Sequence, residues 1–151
     1  MVQFQFRLAK VLDWYRERCR LEENRLRVFA ELAARAESEI ERHRKEVQAH
    51  QSELLQSKNL HAFELAALGL FCRQAKKREA RLSEQWENSK RSLESQRKVV
   101  LAAQQRLQLL EKLHDRRLEE HRYQESRELE ELASESYLAA FVRGLNENNL
   151  S

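Results

Sequence analysis

The sequence predicts an all-α protein, a long antiparallel two-helix coiled-coil hairpin with an overhanging C-terminal helix. Three observations lead there. The 151 residues contain no proline and only two glycines, Gly69 and Gly144. The composition is dominated by Ala, Glu, Lys, Leu, Arg and Gln, the residues of long helices. Apolar residues recur at alternating three- and four-residue spacings along two long runs. A chain so poor in turn formers has little from which to build a many-stranded sheet or a Rossmann-type unit. It buries a seam rather than a thick core, and residues 1–151 form a single coiled-coil domain.

Helix 1 is expected from about residue 4 to residue 56. Its seam runs Leu8, Leu12, Tyr15, Cys19, Glu22, Leu26, Phe29, Ala33, Ala36, Ile40, His43, Val47, His50 and Leu54, with Glu22, His43 and His50 as the polar members. The turn is expected at about 57–59, where QSKN breaks the pattern and the side chain of Ser57 or Asn59 can cap the returning helix. Helix 2 is expected over about 60–142. Its seam runs His61, Leu65, Leu68, Cys72, Ala75, Glu79, Leu82, Trp86, Ser89, Leu93, Gln96, Val100, Ala103 and Leu107, continuing to Leu110. Folded back on itself, the chain keeps these seams in step without an insertion, from Leu54 opposite His61 to Leu8 opposite Leu107. Phe29 then faces Trp86, Ala36 faces Glu79, Cys19 faces Gln96 and His43 faces Cys72. The cysteines lie too far apart to bond within one molecule. Parallel homodimerisation of each helix is the rival arrangement, and the short polar break favours the hairpin.

At 1.5 Å per residue helix 2 would reach roughly 120 Å, of which roughly 75 Å is paired. Beyond about Leu113 the heptad fades, and HDRRLEEHRYQESRE offers little apolar surface. Periodicity returns at Leu129, Leu132 and Ala133, followed by the apolar SYLAAFV and a short tail over 143–151.

Charge excludes several functions. The 28 basic and 25 acidic residues interleave to a net +3, as on a solvated helix face, so nucleic-acid binding is not expected. No apolar run approaches the ~20 residues of a membrane span, and MVQFQFRLAK has no signal-peptide core, so a cytoplasmic protein with reduced cysteines is expected. A phosphate loop needs glycines that are missing. Carboxylates on exposed straight helices enclose no substrate, and the five histidines are scattered, so no enzyme and no cofactor are expected. His43, His50 and Cys72 cluster in the hairpin register. Polar seam residues more often fix register than bind metal, and no metal site is assigned.

Two surfaces stand out instead. In NLHAFELAALGLFC, Phe63 and Leu70 fall at f positions, pointing away from the partner helix, and Phe71 sits beside them at g. Every other f position along the two paired seams is polar, so outward apolar residues gather at the turn. A local cap or a homodimer contact would account for them, and so would a docking site. A second line of Trp14, Leu21 and Val28 repeats at c positions, with Phe4 and Val11 at g. Arg16, Arg18, Arg20, Arg25 and Arg27 surround it, as at an interface rather than a solvated face.

The two ends of the chain carry a family resemblance. FQFRLAKVLDWYRERCRLEE resembles the opening of the flagellar protein FliJ family, a Phe-Arg-Leu start leading into an Arg/Glu-rich helix. LEKLHDRRLEEHRYQESRELEELA resembles that family's C-terminal signature, carried here by Leu110, Glu111, Lys112, Leu113, Arg117, Glu120, Tyr123, Glu130, Glu131, Leu132 and Ala133. Glu130 departs from the expected aspartate, and the turn is unusually apolar. The resemblance implies a non-enzymatic stalk of the type III flagellar export apparatus. Such a stalk inserts in the hexameric export ATPase and links it to the membrane export gate and to export chaperones. It implies a peripheral position at the cytoplasmic face of the cell membrane, with Phe63, Leu70 and Phe71 docking on the gate. Trp14, Arg18, Leu21, Arg25 and Val28 would then contact the ATPase ring. The stalk of a virulence type III system and a generic coiled-coil tether or chaperone are the alternatives.

Overall fold

The computed structural model describes residues 2–57 and 61–150. Two long helices pack against each other, α1 over Ala9–Gln56 and α2 over Ala62–Asn148. The chain divides into two compact units, Glu17–Gln104 and a terminal unit of Met1–Arg16 with Gln105–Ser151.

The first of these units is the hairpin. Its buried residues fall on the heptad seam, with Cys19, Glu22, Ala33, Ile40 and His43 on α1 and Ala75, Gln96 and Val100 on α2. Leu26, Phe29, Leu82, Trp86 and Leu93 are half-buried, as expected for a two-helix seam open to water on its flanks. The polar seam members are satisfied. The Gln96 amide nitrogen donates to the Glu22 backbone carbonyl at 3.0 Å and to its carboxylate at 2.6 Å. Arg25 donates to the same carboxylate at 3.0 Å. His43 Nε2 lies 3.0 Å from the Ala75 carbonyl oxygen. On one flank Arg44 pairs with Glu79 at 2.9 Å, and Gln104 donates to Glu23 at 3.0 Å.

These contacts correct the register. The sequence sets Gln96 opposite Cys19, Cys72 opposite His43 and Glu79 opposite Ala36. The structure places Gln96 on Glu22, Cys72 beside Gln51 and Glu79 beside Arg44. The partners of α2 residues therefore lie further toward the C-terminal end of α1 than the sequence sets them, by three residues for Gln96 and by eight for Cys72 and Glu79. A seam of alternating three- and four-residue steps permits a slip by whole steps without changing which residues away from its ends face inward. As a result Leu65, expected in the seam, is 52% exposed, and residues 61–67 are exposed throughout. With Arg44→Lys, a zero-length carbodiimide should join residue 44 to Glu79 within one chain, read by mass spectrometry. A Lys placed instead at Ala36 should give no such product. The opposite result would restore the sequence-based register.

The helix ends differ from expectation as well. Helix α1 starts at Ala9, not near Phe4, with the Ala9 N–H donating to the Phe6 carbonyl at 3.0 Å. The preceding Val-Gln-Phe-Gln-Phe alternates apolar and polar with period two and does not join the helix. Ser57 does not cap the returning helix; its hydroxyl donates to the Leu54 carbonyl at 3.3 Å and closes α1 instead. Asn59, the other expected cap, lies outside the described residues. Glu64 reaches back to the His61 N–H at 3.4 Å, half of a capping box, and supplies the acidic first turn of α2. At the far end α2 continues past Val142 to Asn148. Gly144 keeps a helical backbone, and no glycine here adopts the positive φ that ends many helices.

Most ion pairs are i,i+3 or i,i+4 contacts between exposed side chains, each adding a few tenths of a kcal/mol. Lys90 meets both a carboxylate and an aromatic ring. Its Nζ sits 2.8 Å from Glu87 and 3.8 Å above the Trp86 ring. The hydrogen bond from Lys90, and then its charge, hold the Glu87 carboxyl below its ordinary range.

In the terminal unit, the start of α1 lies against α2 from residue 105 onward. Leu12 is buried, and Arg16 pairs with Glu111 at 3.7 Å. The non-helical N-terminal segment packs on α2 through aromatic rings. Phe4 stacks on His121 with centroids 5.4 Å apart and meets His114 edge-on at 5.7 Å, while Phe6 meets His114 edge-on at 5.1 Å.

Candidate functional site

The surfaces singled out in the sequence can be followed residue by residue. At the turn end of the hairpin, α2 presents Phe63, 83% exposed, and Leu70, 55% exposed. They are two helical turns apart and therefore share one side of α2. Burying either fully contributes roughly 1.5–3 kcal/mol, so leaving both in water forgoes a substantial gain. Phe71 behaves differently. It is half-buried, its ring 5.1 Å from that of His50, and it lines a cleft of about 430 Å³ with His43, Val47 and Arg78. The structure thus separates Phe71, which helps close the hairpin, from Phe63 and Leu70, which do not. Leu55 and Leu65 are also exposed at this end and were missed as surface residues. Leu65 was missed because it fits the heptad perfectly well in the wrong register.

In the hairpin unit Leu21 and Val28 are exposed on α1, joined by Leu32, which the sequence did not single out. The g and c positions from residue 18 to residue 35 are Arg18, Leu21, Arg25, Val28, Leu32 and Arg35, with no acidic residue among them. Arg25 is not simply a rim charge, because it holds the buried Glu22 carboxylate. Trp14 belongs to the terminal unit. It is exposed, with its ring edge-on to Tyr15 at 5.0 Å.

The signature residues toward the C-terminus spread along α2 and enclose no common pocket. Leu110, Glu111 and Leu113 are half-buried, whereas Lys112, Arg117, Glu120 and Tyr123 are exposed. Arg117 pairs with Glu120 at 3.3 Å and Arg127 with Glu131 at 3.3 Å. Glu130, Leu132 and Ala133 are exposed, as is every residue from 126 to 150.

The sequence missed the aromatic cluster of the terminal unit. His114 and His121 looked scattered on a solvated helix, yet Phe4 and Phe6 bring them together, each histidine beside a carboxylate. His114 Nδ1 lies 3.2 Å from Asp115, and His121 Nε2 lies 3.4 Å from Glu125. The available signal was the alternation of Val2, Phe4, Phe6 and Leu8 with Gln3, Gln5 and Arg7, which has strand rather than helix period.

The grouping of His43, His50 and Cys72 is committed to packing. His43 contacts Ala75, Cys72 lies 3.4 Å from the Gln51 amide nitrogen, and His50 meets Phe71. Among the described residues no three His, Cys, Asp or Glu side chains gather where a metal ion could be held. Among the same residues no helix is long and apolar enough to cross a membrane. No family model matches the chain, and no curated protein or solved structure matches it.

Proposed function

We propose that this chain is a FliJ-like coupling stalk of a flagellar type III export apparatus. In this role it inserts in the hexameric export ATPase, reaches the cytoplasmic domain of the export gate and engages export chaperones. It performs no chemistry of its own and lies peripherally at the cytoplasmic face of the cell membrane. The terminal motifs quoted above suggest the family. The observation that carries the reading is the exposure of Phe63 and Leu70, two large apolar side chains outside the seam at the turn of a coiled coil. A free tether has no use for them, whereas a stalk that engages and releases a partner needs a small apolar contact of modest affinity. The full exposure of residues 126–150 supports a C-terminal overhang of α2 beyond its pairing with α1.

Leu21 and Val28, set among arginines, supply the contact to the ATPase ring in this account, together with Trp14, Arg18 and Arg25. Stimulation of the purified hexameric export ATPase by the full chain tests it. Leu21→Ser with Val28→Ser should abolish most of the stimulation while leaving helicity unchanged, since both side chains are exposed. These apolar residues make a cleaner test than Arg25, whose loss would also disturb Glu22. Wild-type stimulation by the double variant would remove this line from the mechanism.

A further inference from the structure

Every residue of α2 from 126 to 148 is exposed. Within this stretch Leu129, Ala133, Tyr137 and Ala140 recur at three- and four-residue spacings and share one side of the helix, with Leu132 and Phe141 at its edges. Glu128, Glu131 and Glu135 share another side, and Leu138 and Val142 continue their row, so the last turns are apolar nearly all round. Five acidic residues stand against Arg127 and Arg143 over the whole stretch. A helix of this pattern draws its stability from packing its apolar face, not from propensity alone. Its acidic row disfavours pairing with its own counterpart in a second copy, since that would bring like charges together.

The hairpin unit carries a surface of the opposite character. Glu23 and Gln104, each one residue past a seam member, meet at 3.0 Å across one flank of the two helices. The residues one position before seam members therefore gather on the other flank. On α1 these are the exposed Leu21, Val28 and Leu32 with Arg18 and Arg25, and Arg35 extends the line. On α2 they are Ser92, Ser95, Val99 and Ala102, of which Val99 is a further exposed apolar residue. None of these positions on either helix is acidic. The small side chains at 92, 95 and 102 let a third helix approach closely.

We propose that the 126–148 segment of one copy of this chain docks on this flank of a second copy, each copy giving its tail and receiving the other's. Length and charge both fit. From Leu129 to Leu145 the tail rises about 24 Å, and from Arg18 to Arg35 the flank rises about 26 Å. The apolar side of the tail covers Leu21, Val28, Leu32 and Val99, and its glutamates meet the arginines beside them. A reciprocal exchange of this kind closes a two-fold dimer. A chain paired in this way has Leu21 and Val28 covered and cannot engage an ATPase ring through them.

The test is sedimentation equilibrium of the full chain with no ATPase present, so its outcome is independent of the ring contact. The wild type should show a concentration-dependent dimer. Arg18→Glu with Arg35→Glu reverses both ends of the flank, and Glu128→Lys with Glu135→Lys reverses the acidic row. Arg25 is left in place because it holds Glu22. All four altered side chains are exposed, so circular dichroism should not change. Each variant alone should dimerise with a dissociation constant raised about tenfold or more, since every flank then meets a tail of its own sign. An equimolar mixture of the two should dimerise within about threefold of the wild type, because each flank again finds a tail of opposite charge. No dimer at any concentration, variants that dimerise like the wild type, or a mixture that stays monomeric would overturn the proposal. So would tighter dimerisation of the Glu128/Glu135 variant alone, the result expected of tails that pair with one another.

Discussion

Replacing Gln96 by leucine is expected to lower the unfolding free energy by about 1–3 kcal/mol, although leucine suits a seam position better than glutamine. The reason is Glu22. Glu22 is 4% exposed, and its carboxylate would lose the Gln96 donor at 2.6 Å and keep Arg25. Replacing Glu22 and Gln96 together by leucine should recover that loss or exceed it, because a buried polar pair exchanged for apolar groups is often neutral or stabilising. The exposed Arg25 then loses a partner at little cost. The double variant should, however, hold its register less strictly, since a single polar layer is what distinguishes heptad-related alignments of otherwise similar seams. Urea unfolding followed by circular dichroism reads the first effect, and the residue 44 to Glu79 crosslink reads the second. A Gln96→Leu protein as stable as the wild type would show that Glu22 does not depend on this bond.

The largest effect on binding is expected at the turn end. Phe63→Ser with Leu70→Ser removes two side chains worth roughly 1.5–3 kcal/mol each when fully buried in an interface. Affinity for the gate's cytoplasmic domain should then fall at least a hundredfold, since each 1.4 kcal/mol is about tenfold. The melting temperature should stay near that of the wild type, because both residues are exposed and outside the seam. Phe71→Ser should behave oppositely, lowering stability through its contact with His50. Normal gate binding by a well-folded Phe63/Leu70 variant would rule out the docking role, and early melting would make the patch core.

The difference between Phe63 and Phe71 illustrates what the sequence can and cannot show. Heptad spacing located the seam, and the buried residues of both helices in the hairpin unit fall on it. Spacing cannot choose between alignments separated by whole seam steps, because away from the ends every such alignment buries the same residues. Here the choice rests on matched polar groups, Gln96 with Glu22 and Arg44 with Glu79, whose partnership depends on side-chain reach rather than periodicity. The displaced register in turn exposes Leu65. Phe71, at a g position on the seam's flank, reaches inward to His50, a contact that a wheel position alone does not predict. The helix start was legible in principle. Val2 to Leu8 alternates with period two, and assigning it to α1 let the Leu8 seam run past the point where the period changes. Once that segment leaves the helix, Phe4 no longer belongs to a c/g stripe with Trp14, and the pairing with His114 and His121 follows from packing no motif announces.

The central claim is that one chain joins an ATPase ring to a membrane gate. The most direct measurement mixes the purified hexameric export ATPase and the gate's cytoplasmic domain with and without this chain and weighs the complexes by mass photometry. The account predicts a species containing all three components that vanishes when the chain is omitted. It also predicts that Phe63→Ser/Leu70→Ser loses the gate alone and Leu21→Ser/Val28→Ser loses the ring alone. A chain that binds neither component, or variants that lose both together, would contradict it.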